Sequence, residues 1–565
     1  ETFTTTTGLN ISGQPLTQTD PRQYDLNNTP ERANQAIHNF TYVYDMSGTP
    51  LYTRSIDAGE NRVFINVSGQ PVYTWTARGY KNTVVYDALN RPTEHWVEGE
   101  GLNGPQLIER SVYAAPDSLP SQNLRGHLLT HYDQSGKKTI LRVGFKGEVT
   151  ASAQQFISIF DPAQADALRD DLGEMWNWDL HNDDALEEEV FQNSAKSNAL
   201  GQLIHTVEAD GSVHRPRFNH SGQLKGMAVK LNGAADFEDF VKNIRYNEKG
   251  QRASILYGND VTTTYTYEPE TYRLKTLQSH RNQAPKPLQD LSFIYDPVGN
   301  IIRISDAAQQ TIYFNNQVVE AVNAYTYDAF YQLRSATGRE HIGQNGQTSA
   351  MDQVNGIKVL PHKGDGGAMR SYTRTYDYDK AGNMLTSVHQ LIGEAGYTRH
   401  FEYDTTSNRL LRSGIGQEVN WQNFRYDAAG NIQDMAHLDA MHWSPNNELQ
   451  QIHNADLSAF YEYDSSGERS RKIVKKGNRK VEVRYYLGAT EVYREYNNGT
   501  LIQERESLHI SDDTQRIAMV DTLTVKGGEA IALDMQPSLR RYQLSNHLGS
   551  SAIELDEAAR VISYE

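Results

Sequence analysis

The phrase Thr373-Arg374-Thr375-Tyr376-Asp377-Tyr378-Asp379-Lys380-Ala381-Gly382-Asn383-Met384-Leu385 constrains this chain more than any other feature, because its outline returns along most of the 565 residues. Tyr-Asp followed by Gly recurs at Tyr44, Asp45 and Gly48, at Tyr132, Asp133 and Gly136, and at Tyr295, Asp296 and Gly299. It returns at Tyr378, Asp379 and Gly382, at Tyr426, Asp427 and Gly430, and at Tyr463, Asp464 and Gly467. Weaker copies stand at Tyr86-Asp87, Tyr246-Asn247, Tyr267-Glu268, Tyr327-Asp328 and Tyr403-Asp404, and Phe218-Asn219 with Gly222 keeps the outline.

Each phrase predicts a β-hairpin. The residues before the aspartate alternate, as in Phe424-Arg425-Tyr426 and Tyr461-Glu462-Tyr463, which is the period of a half-buried strand. The Asp side chain accepts hydrogen bonds from amides of the turn that follows. Gly three residues later suits a position of positive φ. A second strand then begins, as in Met384-Leu385-Thr386-Ser387-Val388. One hairpin cannot bury its own face and is marginal alone. Hairpins stacked side by side share ladders, and Tyr rings on neighbouring rungs add about 0.5–1.5 kcal/mol per pair beyond area burial. The repeated Tyr, Asp and Gly residues are therefore read as structural.

Composition points to the same kind of object. Counting Gly and leaving out Tyr gives an apolar share of about 40%, below the roughly 45–50% of ordinary globular domains. Mean hydropathy is -0.67. Yet 33 tyrosines make the chain too aromatic for a disordered polymer. An ordered β structure with two wetted faces and a thin apolar layer satisfies both facts. The net charge of -17 argues against a general nucleic-acid or anionic-membrane surface. The absence of cysteine excludes disulfides and thiolate metal sites. No stretch approaches the ~20 apolar residues of a membrane helix. The opening ETFTTTTGLN has no starting Met and no signal layout, so a piece of a longer chain is expected.

The repeat divides the chain into hairpins over 1–150, an insertion over 151–195, and further hairpins over 196–565. Pro162 to Val190 has helical composition and predicts an acidic helix anchored by Trp176 and Trp178. Its Asp179, Asp183, Asp184 and Glu187 to Glu189 lack the spacing and internal Gly of a calcium loop. Gly343 to Met369 reads as a long flexible loop or plug. The basic run Arg469 to Lys480 reads as a solvated hairpin tip. No GxSxG, P-loop, HExxH or dinucleotide fingerprint is present. His437 and His442 bracket a turn-like stretch without a third ligand nearby, which is poor material for zinc. No catalytic, cofactor or metal residue is assigned.

The repeated Tyr-Asp-x-x-Gly-Asn phrase resembles the rearrangement-hotspot (RHS, or YD-repeat) family. Four longer phrases narrow the resemblance: Gly258 to Glu270, Leu288 to Asn300, Tyr325 to Glu340, and Asn546 to Asp556. Together they look like the C component of bacterial Tc insecticidal toxin complexes, or its counterpart in fused B–C proteins.

That resemblance implies a mainly β fold, a spiral of stacked hairpins forming part of a hollow RHS shell, here with a short helical insertion. It implies a B-type partner carrying a β-propeller and the other RHS half. It also implies a pentameric A-type channel, an enclosed toxic C-terminal polypeptide, and a secreted or extracellular location. In the family an aspartyl autoprotease frees the toxin. Its catalytic aspartates follow a region beyond the phrase ending at Glu565, so no catalytic residue is carried over and the chain is expected not to be an enzyme. Asp556 belongs to an earlier phrase and is not the family's catalytic position. The competing expectation is a teneurin-like adhesion or carbohydrate-binding scaffold.

Overall fold

In the computed structural model the described residues are 2–32, 35–117, 122–161, 164–281, 284–314, 317–341, 367–392, 394–416, 420–477, 479–512 and 514–564. The expected loop over 343–369 lies, but for its last three residues, outside them. Two compact units emerge, one of Glu1–Val84, Val97–Leu102 and Asp290–Asn447, the other of Val85–Trp96, Asn103–Gln289 and Glu448–Glu565. Each draws on both the 1–150 and the 196–565 stretches.

The first unit holds two antiparallel meanders. One runs in chain order through Thr6–Leu9, Pro15–Thr19, Phe40–Tyr44, Pro50–Ser55, Gly59–Ile65, Pro71–Trp75 and the first four residues of Lys81–Tyr86. The other runs from Ile301–Asp306 through Val322–Tyr327, Leu333–His341, Met369–Tyr378, Met384–Leu391, Glu394–Tyr403, Leu410–Ile415 and Asn420–Asn423. Most strand residues are half-buried on both faces. No large buried hydrophobic cluster forms here among the described residues. This is the thin, two-sided wall that the low apolar content requires. An α-helix, Pro21–Asn27, starts on Asp20, whose carboxylate accepts the Gln23 amide at 2.7 Å.

The second unit is built differently. A meander leads from Gln106–Tyr113 to Leu274–Arg281, and a second leads from Leu449–His453 to Val561–Tyr564. They pack face to face. Val229, Phe240, Val241, Ile255 and Val261 of the first meet Leu508, Ile510, Ala518, Tyr542 and Leu555 of the second in one buried core. The shortage of aliphatic residues is thus uneven, with a sandwich core in one unit and a single layer in the other.

The expected acidic helix does not form. Residues 151–195 contain the end of the strand Val149–Phe156, the short strands Phe160–Asp161 and Gln164–Leu168, a 3-10 turn Asp183–Ala185, and the start of Phe191–Ser197. The tryptophans give the reason. Trp176 and Trp178 are both buried with Leu107 and Ile157. Residues two apart share a face on an extended chain and lie on different faces of a helix. The Trp178 amide also donates to the Leu107 carbonyl at 2.8 Å, committing the backbone elsewhere. The tryptophans do anchor the segment, but in an irregular stretch rather than a helix.

Candidate functional site

Every repeat turn is a small hydrogen-bonded device. At Asp379, Oδ1 accepts the amides of Ala381 at 2.9 Å and Asn383 at 2.8 Å, and the Asn383 side chain donates to Oδ2 at 2.9 Å. Asp427 does the same with Ala429 and Asn431. Asp296 binds Gly299 and Asn300. Asp45 and Asp464 hold their turns through the second and fourth following amides. The Ser47 hydroxyl and then the Thr49 amide hold the Asp45 carboxyl below its usual range. Gly48, Gly299, Gly382, Gly430 and Gly467 all adopt positive φ. The Tyr132 copy differs. Asp133 is buried, its second oxygen accepts the Ser465 amide at 3.1 Å, and Gly136 already belongs to the next strand.

The tyrosines do something that ring packing alone does not describe. Tyr378 Oη donates to the Leu333 carbonyl at 3.0 Å, Tyr426 to Leu410 at 2.9 Å, and Tyr327 to Ile301 at 2.9 Å. Tyr463 donates to Leu449 at 2.9 Å, Tyr267 to Arg252 at 2.8 Å, and Tyr246 to Leu224 at 2.6 Å. Each acceptor is the first residue of a strand that follows an earlier turn. The last tyrosine of one hairpin therefore stitches it to the start of a strand in a preceding one. The sequence held the signal, since the repeat uses Tyr rather than Phe at this position in all but the Phe218 copy.

In the first unit these turns meet along a seam. The second meander turns at Asp379, Asp404 and Asp427, and the first meander supplies the Pro21–Asn27 helix and the turns around Asp57 and Arg78. Arg78 Nε lies 3.1 Å from Asp427 Oδ2, and its Nη2 donates to the Trp443 carbonyl at 3.1 Å. The Asn408 amide donates to Asp57 Oδ1 at 2.7 Å, and Arg409 Nε donates to the Asp57 carbonyl at 2.9 Å. Lys380 pairs with Asp25 at 2.6 Å, and Arg32 donates to the Thr405 carbonyl at 2.9 Å. Small residues permit the approach. A Cβ on Gly430 would stand 2.6 Å from the Asp57 carbonyl oxygen, and one on Gly59 would stand 2.6 Å from that of Ala428. Both glycines have positive φ.

In the second unit the run Arg469 to Lys480 is only in part a solvated tip. Arg471 is fully buried, 2.8 Å from Glu187 and 2.7 Å from Glu462, and it donates to the Ile157 carbonyl at 2.7 Å. Tyr485 Oη donates to Glu187 at 3.0 Å. Burial pushes the Glu187 carboxyl up while Arg471 opposes it. The acidic insertion is thereby clamped to the second meander, because an unpaired buried charge would be prohibitive.

Among the described residues no group of three or more His, Asp or Glu is arranged to hold a metal ion. No helix among them is long and apolar enough to cross a membrane. The Asp and Gly residues of five repeat copies close the turns described, and the Tyr132 copy does not follow them.

No protein-family model matches the chain. Toxin subunit YenC2 of Yersinia entomophaga is 29% identical over 569 residues, covering 95% of this chain and 57% of that protein. Toxin subunit YenC1 of the same organism is 28% identical over 481 residues, covering 81% and 47%. The chain thus spans about half the length of these curated relatives. The crystal structure of TcdB2-TccC3 superposes with a TM-score of 0.85 at 28% identity, covering all of this chain and 27% of that one. The Photorhabdus luminescens Tc holotoxin pore gives 0.84 at 28% identity, covering 100% and 26%. The chain is homologous to the Yersinia toxin subunits and has the fold of TcdB2-TccC3.

Proposed function

We propose that this chain forms the RHS wall of a Tc-type toxin complex, acting with a B-type partner to enclose a toxic C-terminal polypeptide for delivery through an A-type channel. The observation that carries this reading is the end-to-end match with TcdB2-TccC3, reached through hairpins that bind one another turn by turn. A wall of this kind needs lateral cohesion without a deep core, and the tyrosine stitches and the Arg78–Asp427 seam provide it. The complex works outside the producing cell. Residues 1–565 carry no catalytic step on this reading.

Co-expression of the chain, joined at Glu565 to a reporter polypeptide, with a B-type subunit tests this. The reporter should resist added protease while the assembly is intact and become sensitive when the wall is opened with denaturant. Digestion at the rate of free reporter would contradict the reading. Cleavage at the junction by residues 1–565 alone would contradict the absence of catalysis.

A further inference from the structure

A cleft of about 700 Å³ opens beside the seam of the first unit, a size that suits a small ligand. One side is a face of the first meander. Arg54 stands opposite Glu60 and Arg62 opposite Trp75, and Glu60 and Arg62 are two residues apart, so the four side chains share that face. The other side comes from the second meander, through Thr406, Arg409 and Ala428.

The charge of this cleft runs against that of the chain. Three arginines line it against one glutamate, in a molecule whose net charge is -17. Arg62 lies 3.2 Å from Glu60, and both are well exposed. Arg54 has neither a hydrogen bond nor an ion pair with any described residue. Arg409 donates through Nε and Nη2 to the carbonyls of Asp57 and Ala428, which are neutral acceptors and leave its charge in place. Trp75 packs against Tyr73, ring centres 5.9 Å apart, and keeps 38% of its surface open. A lone surface arginine is merely solvated. Two uncompensated guanidinium groups and an open indole lining one concavity form a recognition set. Guanidinium forks match the oxygens of a phosphate, and an indole face packs flat against a ring.

We propose that this cleft binds a small phosphorylated ring compound, a nucleotide or a sugar phosphate, with its phosphate on Arg54 and Arg409 and its ring against Trp75. Two uncompensated cations match the charge of roughly -1.5 to -2 that a phosphate monoester carries at pH 7. The bound ligand spans both meanders and braces the seam between them. The site stands apart from the proposed wall function, and neither depends on the other.

Calorimetric titration of the full chain with AMP, glucose 6-phosphate and inorganic phosphate tests the site. One ring phosphate should bind per chain, at least about tenfold more tightly than inorganic phosphate. A preference for AMP makes the ring a base and a preference for glucose 6-phosphate makes it a sugar, and either supports the proposal. Arg54→Gln should weaken ring-phosphate binding at least about tenfold, since a charged hydrogen-bonding partner is lost. Because Arg54 holds no protein partner, the variant should keep the wild-type fold, which far-UV circular dichroism checks. Trp75→Leu should abolish the margin over inorganic phosphate. Arg479→Ala, at an exposed arginine of the second unit, should bind as wild type. Saturating ligand should slow hydrogen exchange at 56–58 and 427–431. Absence of ring-phosphate binding at millimolar concentration would overturn the proposal, as would binding undiminished in folded Arg54→Gln. Inorganic phosphate binding as tightly as the ring compounds would overturn it too, and unchanged exchange at saturation would overturn the brace.

Discussion

The guanidinium of Arg78 sits 3.1 Å from the Asp427 carboxylate, and both side chains are largely buried. This pair fastens the last turn of the first meander to the turn that follows the second. Removing one partner of a largely buried pair strands the other charge. Arg78→Ala should therefore cost about 2–4 kcal/mol of local stability. Hydrogen exchange at 76–80 and 427–431 should accelerate accordingly, while the core around Val229 and Leu508 stays protected.

Gly430→Ala tests the close approach at the same seam. The new Cβ meets the Asp57 carbonyl and forces a residue with a side chain into positive φ. Exchange at 56–58 should rise even though no charge has been removed. Unchanged exchange there would show that the seam tolerates separation.

The stitches are tested by Tyr→Phe, which keeps the ring and deletes the donor. Tyr378→Phe leaves the Leu333 carbonyl without its partner and should cost about 1 kcal/mol. Tyr246→Phe and Tyr378→Phe lie in different units, so their losses should add. Melting curves of the singles and the double measure this.

How much of this was legible in the sequence follows from the range of each interaction. The turns could be read because Asp379, Gly382 and Asn383 satisfy one another within five residues. The mainly β class followed from the same phrase. The seam could not be read, because nothing local to Arg78 distinguishes it from any exposed turn arginine. Arg471 was hidden for a related reason: Glu462 faces it across the same hairpin, but Glu187 and the Ile157 carbonyl, which complete its burial, come from a distant segment. The acidic helix does not form because the segment's backbone is committed to distant partners, the Trp178 amide to the Leu107 carbonyl among them. Trp176 and Trp178, two residues apart and buried together, already argued against a helix.

Arg471→Met should destabilise the second unit by roughly 3 kcal/mol or more, because the buried carboxylates of Glu187 and Glu462 would both lose the guanidinium they pair with directly. Denaturant unfolding followed through tryptophan fluorescence, with Trp176 and Trp178 packed in this unit, measures it.

Stability should also fall with rising pH in this unit. Burial, with Asp210 and Glu504 adding, pushes Glu506 up to about 7. An unfolded glutamate titrates near about 4.3. The folded form holds its proton more tightly, so the contribution is complete below that value and is lost as pH rises through 7. Glu506→Gln should raise the melting temperature at pH 8 and leave it nearly unchanged at pH 4.

The central claim is that these hairpins are a wall around a cargo. Cryo-electron microscopy of the chain, extended by a cargo polypeptide and assembled with a B-type subunit, tests it most directly. The expected map is a closed hairpin shell enclosing a cavity with weak, unstructured density. A filled, compact particle with the cargo outside it would contradict the account.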